Sequence, residues 1–137
     1  MSTQNVTLSL PETLYLRLQQ TAQATHQSLT EILLHAVQVG CPPGWEEAPA
    51  AFQADLATLD RLDDEALWRI AKSSRTEADI ARFQELLEKN SDTQLTTDER
   101  TELTQLRFEA DRFMLRKAHA AALLRWRGHT VPPAAKL

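Results

Sequence analysis

Residues 5–10, Asn-Val-Thr-Leu-Ser-Leu, alternate polar and apolar, with β-branched side chains among them. That is the period of a strand with one buried face, and no second segment of the chain shows it. A lone strand of six residues has unpaired edges and is not stable by itself. The economical solution is a symmetric dimer, in which Val6, Leu8 and Leu10 from two chains cover four helices. The N-terminal end therefore constrains the fold more than any other part of the chain.

Everything after Pro11 reads as helix. Pro11 stops the alternation and suits a first helical turn, where its missing N–H costs nothing. Leu14, Leu18 and Ala22 then recur at four-residue intervals until Thr25-His26-Gln27 breaks the pattern. Ser28 and Glu31 form a capping-box pair, Leu29, Ile32, Leu33, Ala36 and Val37 give a wide apolar face, and Gly40 is placed as a left-handed terminator. Cys41-Pro42-Pro43-Gly44 is a linker. Beyond it, Phe52, Leu56 and Leu59 share a face over 49–60. Asp63 caps a short helix carrying Leu67, Trp68, Ile70 and Ala71. Thr76 and Asp79 open a helix over 76–90. Thr96 and Glu99 are a second capping box, opening a helix that runs to Trp126 and ends at Gly128. Its inner stripe is Leu103, Leu106, Ala110, Phe113, Lys117, Ala121 and Leu124. Segment 76–90 is expected to fold back on the first half of 97–126, leaving the far end to project or to pack on another subunit. Two domains follow, 1–43 and 44–137.

Composition closes several routes. Apolar residues make up 42% of 137, enough for a core, yet no apolar run approaches the roughly 20 residues of a membrane span. No basic stretch followed by a long apolar run opens the chain, so a cytoplasmic location is expected. One cysteine, Cys41, supplies neither an internal disulfide nor a cysteine zinc site. Three glycines, Gly40, Gly44 and Gly128, cannot build a phosphate-cradling loop. No cofactor and no metal is expected.

Charge is uneven. Residues 1–43 hold one basic side chain, Arg17, and two acidic ones. Residues 44–111 hold 8 basic and 17 acidic, and residues 112–137 hold six basic and none acidic. A basic tail behind an acidic middle can mark a polyanion-binding segment. The simpler reading is that the tail pairs with the acidic middle, within the chain or across a dimer.

The order strand, proline, helix, short turn, capped helix over residues 5–40 resembles the ribbon-helix-helix family of DNA-binding repressors and antitoxins. The residues that carry the resemblance are Val6-Thr7-Leu8-Ser9-Leu10-Pro11, Leu14, Leu18, Ala22 and Ser28-Leu29-Thr30-Glu31-Ile32-Leu33. The resemblance implies a homodimer through the paired strands, whose ribbon lies in the major groove of operator DNA. Asn5, Thr7 and Ser9 would then face base edges, and Ser28, Leu29 and Thr30 would clamp a phosphate at a helix N-terminus. The chain departs from the pattern in having no Arg or Lys on the strand. DNA affinity comes largely from neutralised phosphates, so binding is weak, supplied by the basic tail, or lost with the module kept for dimerisation.

The expected fold class is thus mostly α: a ribbon-helix-helix module followed by an all-helical extension with a helical hairpin. The extension is expected to hold a partner protein, by analogy a toxin nuclease, through Arg116, Leu123, Leu124, Trp126 and Arg127, since Trp and Arg together are typical of binding hot spots. No catalysis is expected. His119 and His129 lie among basic residues with no acidic neighbour in sequence and read as a solvated helix end. Asp63-Asp64-Glu65 reads as a helix N-terminus, and Trp45 and Trp68 as packing residues. The first functional reading is a dimeric antitoxin-type regulator. The alternative is an adaptor that does not bind DNA and uses the N-terminal module only to dimerise.

Overall fold

The computed structural model describes residues 2–92 and 95–137. They form six α-helices: α1 (Glu12–Thr25), α2 (Leu29–Gly40), α3 (Ala50–Leu59), α4 (Asp64–Ala71), α5 (Glu77–Asp92) and α6 (Thr97–Trp126), followed by one 3-10 turn, Ala134–Lys136. There is no strand among the described residues. Residues 2–11 have no regular structure, and Val6 and Leu8 are 85% and 73% exposed. The ribbon-helix-helix architecture expected from the sequence is therefore overturned. The reason is physical. Six alternating residues are half of a ladder, and this chain contains no segment to supply the other half, so an extended conformation gains no backbone hydrogen bonds.

The helices arise where capping and periodicity place them. Ser28 accepts from the Glu31 N–H at 3.1 Å, and Asp63 accepts from the Ala66 N–H at 2.8 Å. Thr96 and Glu99 complete a reciprocal capping box, which satisfies two N–H groups that the first turn of α6 leaves over. Gly128 takes a φ of +100° just past the end of α6. Gly40 differs from the expectation: it lies inside α2, and Cys41 with φ −65° is the terminal residue. His26, at φ 54°, is the residue that turns left-handed after α1.

The chain divides into two compact units, Met1–Cys41 and Pro42–Leu137. The first is a pair of helices with little interior. Ala22 and Ile32 are buried, whereas Leu14, Tyr15, Leu16, Leu34, Val37 and Val39 are exposed.

The second unit is organised on α6, a helix of 30 residues and so about 45 Å long. Its N-terminal half packs with α5 around Leu86, Leu95 and Leu103. Its C-terminal half fills a larger cluster with α3 and α4, built from Phe52, Leu56, Leu59, Leu67, Ala71, Ala120, Leu123 and Leu124. The α5–α6 hairpin is the one expected. The far end of α6, expected to project or meet another subunit, instead lies at the centre of its own domain. Its buried stripe widens there to include His119, Ala120 and Leu123, so two faces of the helix are covered at once.

Candidate functional site

The residues expected to meet DNA do not converge. Asn5, Thr7 and Ser9 are exposed in the irregular N-terminal segment. Ser28 uses its hydroxyl to cap α2, Leu29 is half-buried and Thr30 exposed. Arg17 is the only basic side chain of this unit.

The residues expected to hold a partner are dispersed as well. Leu123 is 3% exposed and Leu124 is fully buried in the larger core cluster. Arg116 and Arg127 are engaged by carboxylates of the same chain. Only Trp126, 50% exposed, has the openness of a contact residue.

A seam of charge joins the tail to the acidic middle. Arg112 and Arg116 on α6 both donate to the Asp55 carboxylate on α3, at 2.9 and 2.6 Å. The His119 Nε2 lies 2.8 Å from Asp60 Oδ1, and the Trp45 indole N–H donates to Asp60 Oδ2 at 3.3 Å. Asp64 accepts from Arg127 at 2.8 Å and lies 2.7 Å from His129 Nε2. The Trp68 ring meets His129 edge-on at 6.0 Å. Asp55, Asp60 and Asp64 thus line one edge of α3, its following turn and α4, against arginines and histidines of α6 and the turn after it. The pairing within one chain is the simpler of the two sequence readings. The histidine reading was wrong in its neighbourhood: the acidic partners of His119 and His129 sit 59 and 65 residues away, where no search along the sequence finds them. The only signal was the block of positive charge behind the block of negative charge.

This seam is suited to holding helices together. Among the described residues each histidine pairs with an aspartate, and no hydroxyl or thiol hydrogen-bonds to either ring. No group of three or more His, Cys, Asp or Glu among them could hold a metal ion, and no helix is long and apolar enough to cross a membrane.

The carboxylates are tuned by their partners. Burial pushes Asp55 up, but the hydrogen bond from Arg112 and the charges of Arg116 and Arg112 outweigh it and hold the group below its usual range. The hydrogen bonds from Arg127 and then His129 lower Asp64. In the hairpin, the Lys89 hydrogen bond at 2.6 Å and the Thr96 backbone N–H bring Glu99 down to about 2. The bidentate hydrogen bond from Arg82 lowers Glu102. Depressed carboxylates contribute stability above their unfolded-state values, and that stability is lost as pH falls through the folded values. The urea midpoint should therefore stay level from about pH 7 to about 5 and drop between about pH 4 and about 2. Asp55→Asn should flatten part of that drop. A midpoint unchanged down to about pH 2 would mean that neither the seam nor the hairpin pairs contribute to stability.

Concave surface gathers on α6. Three depressions of about 300, 270 and 250 Å³ all share Phe113. The first is a groove along the helix, lined by Phe113, Met114, Lys117, Ala118, Ala121 and Arg125, with Ala134 and Leu137 of the C-terminal turn as its far wall. It runs along the C-terminal half of α6, beside the positions that the larger core cluster covers, and Met114 there is 61% exposed. A fourth hollow, about 390 Å³, has Trp45, Leu56, Leu115 and His119 in its walls. Sequence reasoning missed the groove, because Phe113 and Ala121 read as an inner stripe. Comparison of the chain with protein-family models, curated proteins and solved structures finds no match.

Proposed function

We propose that this chain is a non-catalytic adaptor, in which the Met1–Cys41 unit associates with a second copy and the Pro42–Leu137 unit presents α6 to a partner protein. The observation that carries the reading is the interior of the first unit, where Ala22 and Ile32 alone are buried among the described hydrophobic side chains while six large apolar residues of α1 and α2 are exposed. Units of about 40 residues seldom stand alone without a disulfide, a metal or an oligomer. A second copy is the occupant that suits the charge, since this segment holds one basic and two acidic side chains and two copies meet with little repulsion. The contact assigned is between helix faces, not between strands.

The adaptor is preferred to the antitoxin-type regulator because the cations needed for phosphate contacts are scarce or engaged. Arg17 stands alone in the first unit, and Arg112, Arg116 and Arg127 of the tail are bound to Asp55 and Asp64. Releasing them onto DNA would strip those aspartates of their arginines.

Sedimentation equilibrium of the full chain should show a concentration-dependent dimer. Leu34→Glu with Val37→Glu should weaken it at least about a hundredfold, since each buried apolar side chain contributes about 1.5–3 kcal/mol. A chain that is monomeric at every concentration, with its helical signal intact, would remove the basis of the reading. Salt-sensitive binding to one DNA duplex over a scrambled one, by fluorescence anisotropy, would transfer the assignment to the operator-binding regulator.

A further inference from the structure

The groove on α6 has a chemistry of its own. Its floor is apolar and shallow, because Ala118 and Ala121 carry only methyl groups where the flanking Phe113 and Met114 are large. Small residues between large ones let another helix approach closely, and an accessible methionine adapts to the side chains it meets. Met114, Lys117 or Ala118, Ala121 and Arg125 follow the spacing at which one helix face contacts another. The groove therefore extends for about three turns, some 16 Å.

Its rim is cationic, and the cations differ from those of the seam. Arg112, Arg116 and Arg127 are bound to carboxylates. Lys117 instead donates to the Ser73 carbonyl at 2.9 Å, and Arg125 to the Pro132 carbonyl at 3.4 Å. A neutral acceptor orients a cation without cancelling its charge. Two oriented positive charges, two turns apart beside an apolar floor, complement a helix with one apolar face and acidic flanks.

We propose that the α6 groove is the docking site for an acidic amphipathic helix of a partner protein, held by apolar contact with Phe113, Met114, Ala118 and Ala121 and by carboxylates on Lys117 and Arg125. The proposal rests on the adaptor reading and supplies the class of partner that reading leaves open.

The chain holds two methionines, Met1 and Met114, so carbon-13 labelling of methionine methyl groups puts a single reporter in the groove. The full chain would be titrated with a helical peptide of about 16 residues, Leu on one face and Glu on its flanks, then with the same peptide carrying Lys for Glu. The Met114 methyl should shift with the Glu peptide and not with the Lys peptide. Lys117→Gln with Arg125→Gln should weaken binding of the fluorescein-labelled Glu peptide by about tenfold or more. Met114→Glu, a change at an exposed position, should do the same if the double variant fails to fold. A silent Met114 methyl, equal response to both peptides, or a stronger response to a medium-chain fatty acid would overturn the assignment. So would a shift that appears on concentrating the protein alone, which would make the groove a contact between copies. Sedimentation of the same samples separates the two readings. A dimer with a silent groove defeats the docking site alone, and a monomer whose Met114 still answers the Glu peptide defeats only the dimer.

Discussion

Phe52→Ala is expected to lower the stability of the Pro42–Leu137 unit by about 3–5 kcal/mol, the cost of deleting a buried aromatic ring. The ring is 7% exposed, packs in the larger cluster on α6, and stacks on Phe108 with centroids 4.9 Å apart. Removing it leaves a cavity between α3 and α6 beside the carboxylate seam, since Asp55 stands one turn further along α3. Phe52→Leu should recover most of the loss, leaving about 0.5–1.5 kcal/mol for the stacking. Urea titration followed by tryptophan fluorescence reads this directly, because Trp45, Trp68 and Trp126 all belong to this unit. A loss below about 1 kcal/mol would mean that the α3–α6 packing is not the support described above.

Leu86→Ala is expected to cost about 2–5 kcal/mol and to decide whether the unit folds as one. Leu86 is fully buried with Leu95 and Leu103 in the smaller cluster, while Trp45 and Trp68 border the larger one. The two clusters share α6, whose backbone hydrogen bonds run unbroken between them, and helix formation is cooperative along its length. The substitution should therefore shift the fluorescence transition as much as the far-ultraviolet dichroism. If the dichroism moves and the fluorescence does not, the α5–α6 hairpin unfolds separately. The part of α6 between Leu103 and Ala120 would then be a joint between two folding units.

Much of the helical layout could be read from local chemistry. Ser28, Asp63, Thr76 and Thr96 cap the helices assigned to them, because a cap depends on a side chain and a backbone group three residues apart. The hairpin of α5 and α6 follows from two amphipathic segments joined by a short link. Gly40 shows the limit of such reasoning. A glycine near a helix end permits the left-handed turn without requiring it, and here the chain leaves α2 through an extended Cys41.

The N-terminal alternation failed for a different reason. A strand is a relation between two segments, and the period of one segment states only what it would do with a partner. The same holds for the C-terminal patch. Leu123, Leu124, Arg116 and Arg127 were grouped as a surface because they are close in sequence. The helix turns them towards different neighbours: the leucines into the α3–α4 core, the arginines onto Asp55 and Asp64.

By itself the sequence determined the helices, the side chains that cap their N-termini and the separation of negative and positive charge into blocks. Each rests on interactions within a turn or on counts along the chain. Only the tertiary structure decided that the far end of α6 is buried, that His119 and His129 meet aspartates about 60 residues away, and that Lys117 and Arg125 donate to backbone carbonyls beside an apolar groove. Those outcomes depend on which face of α6 meets α3 and α4, and that choice is made by the packing of all three helices at once.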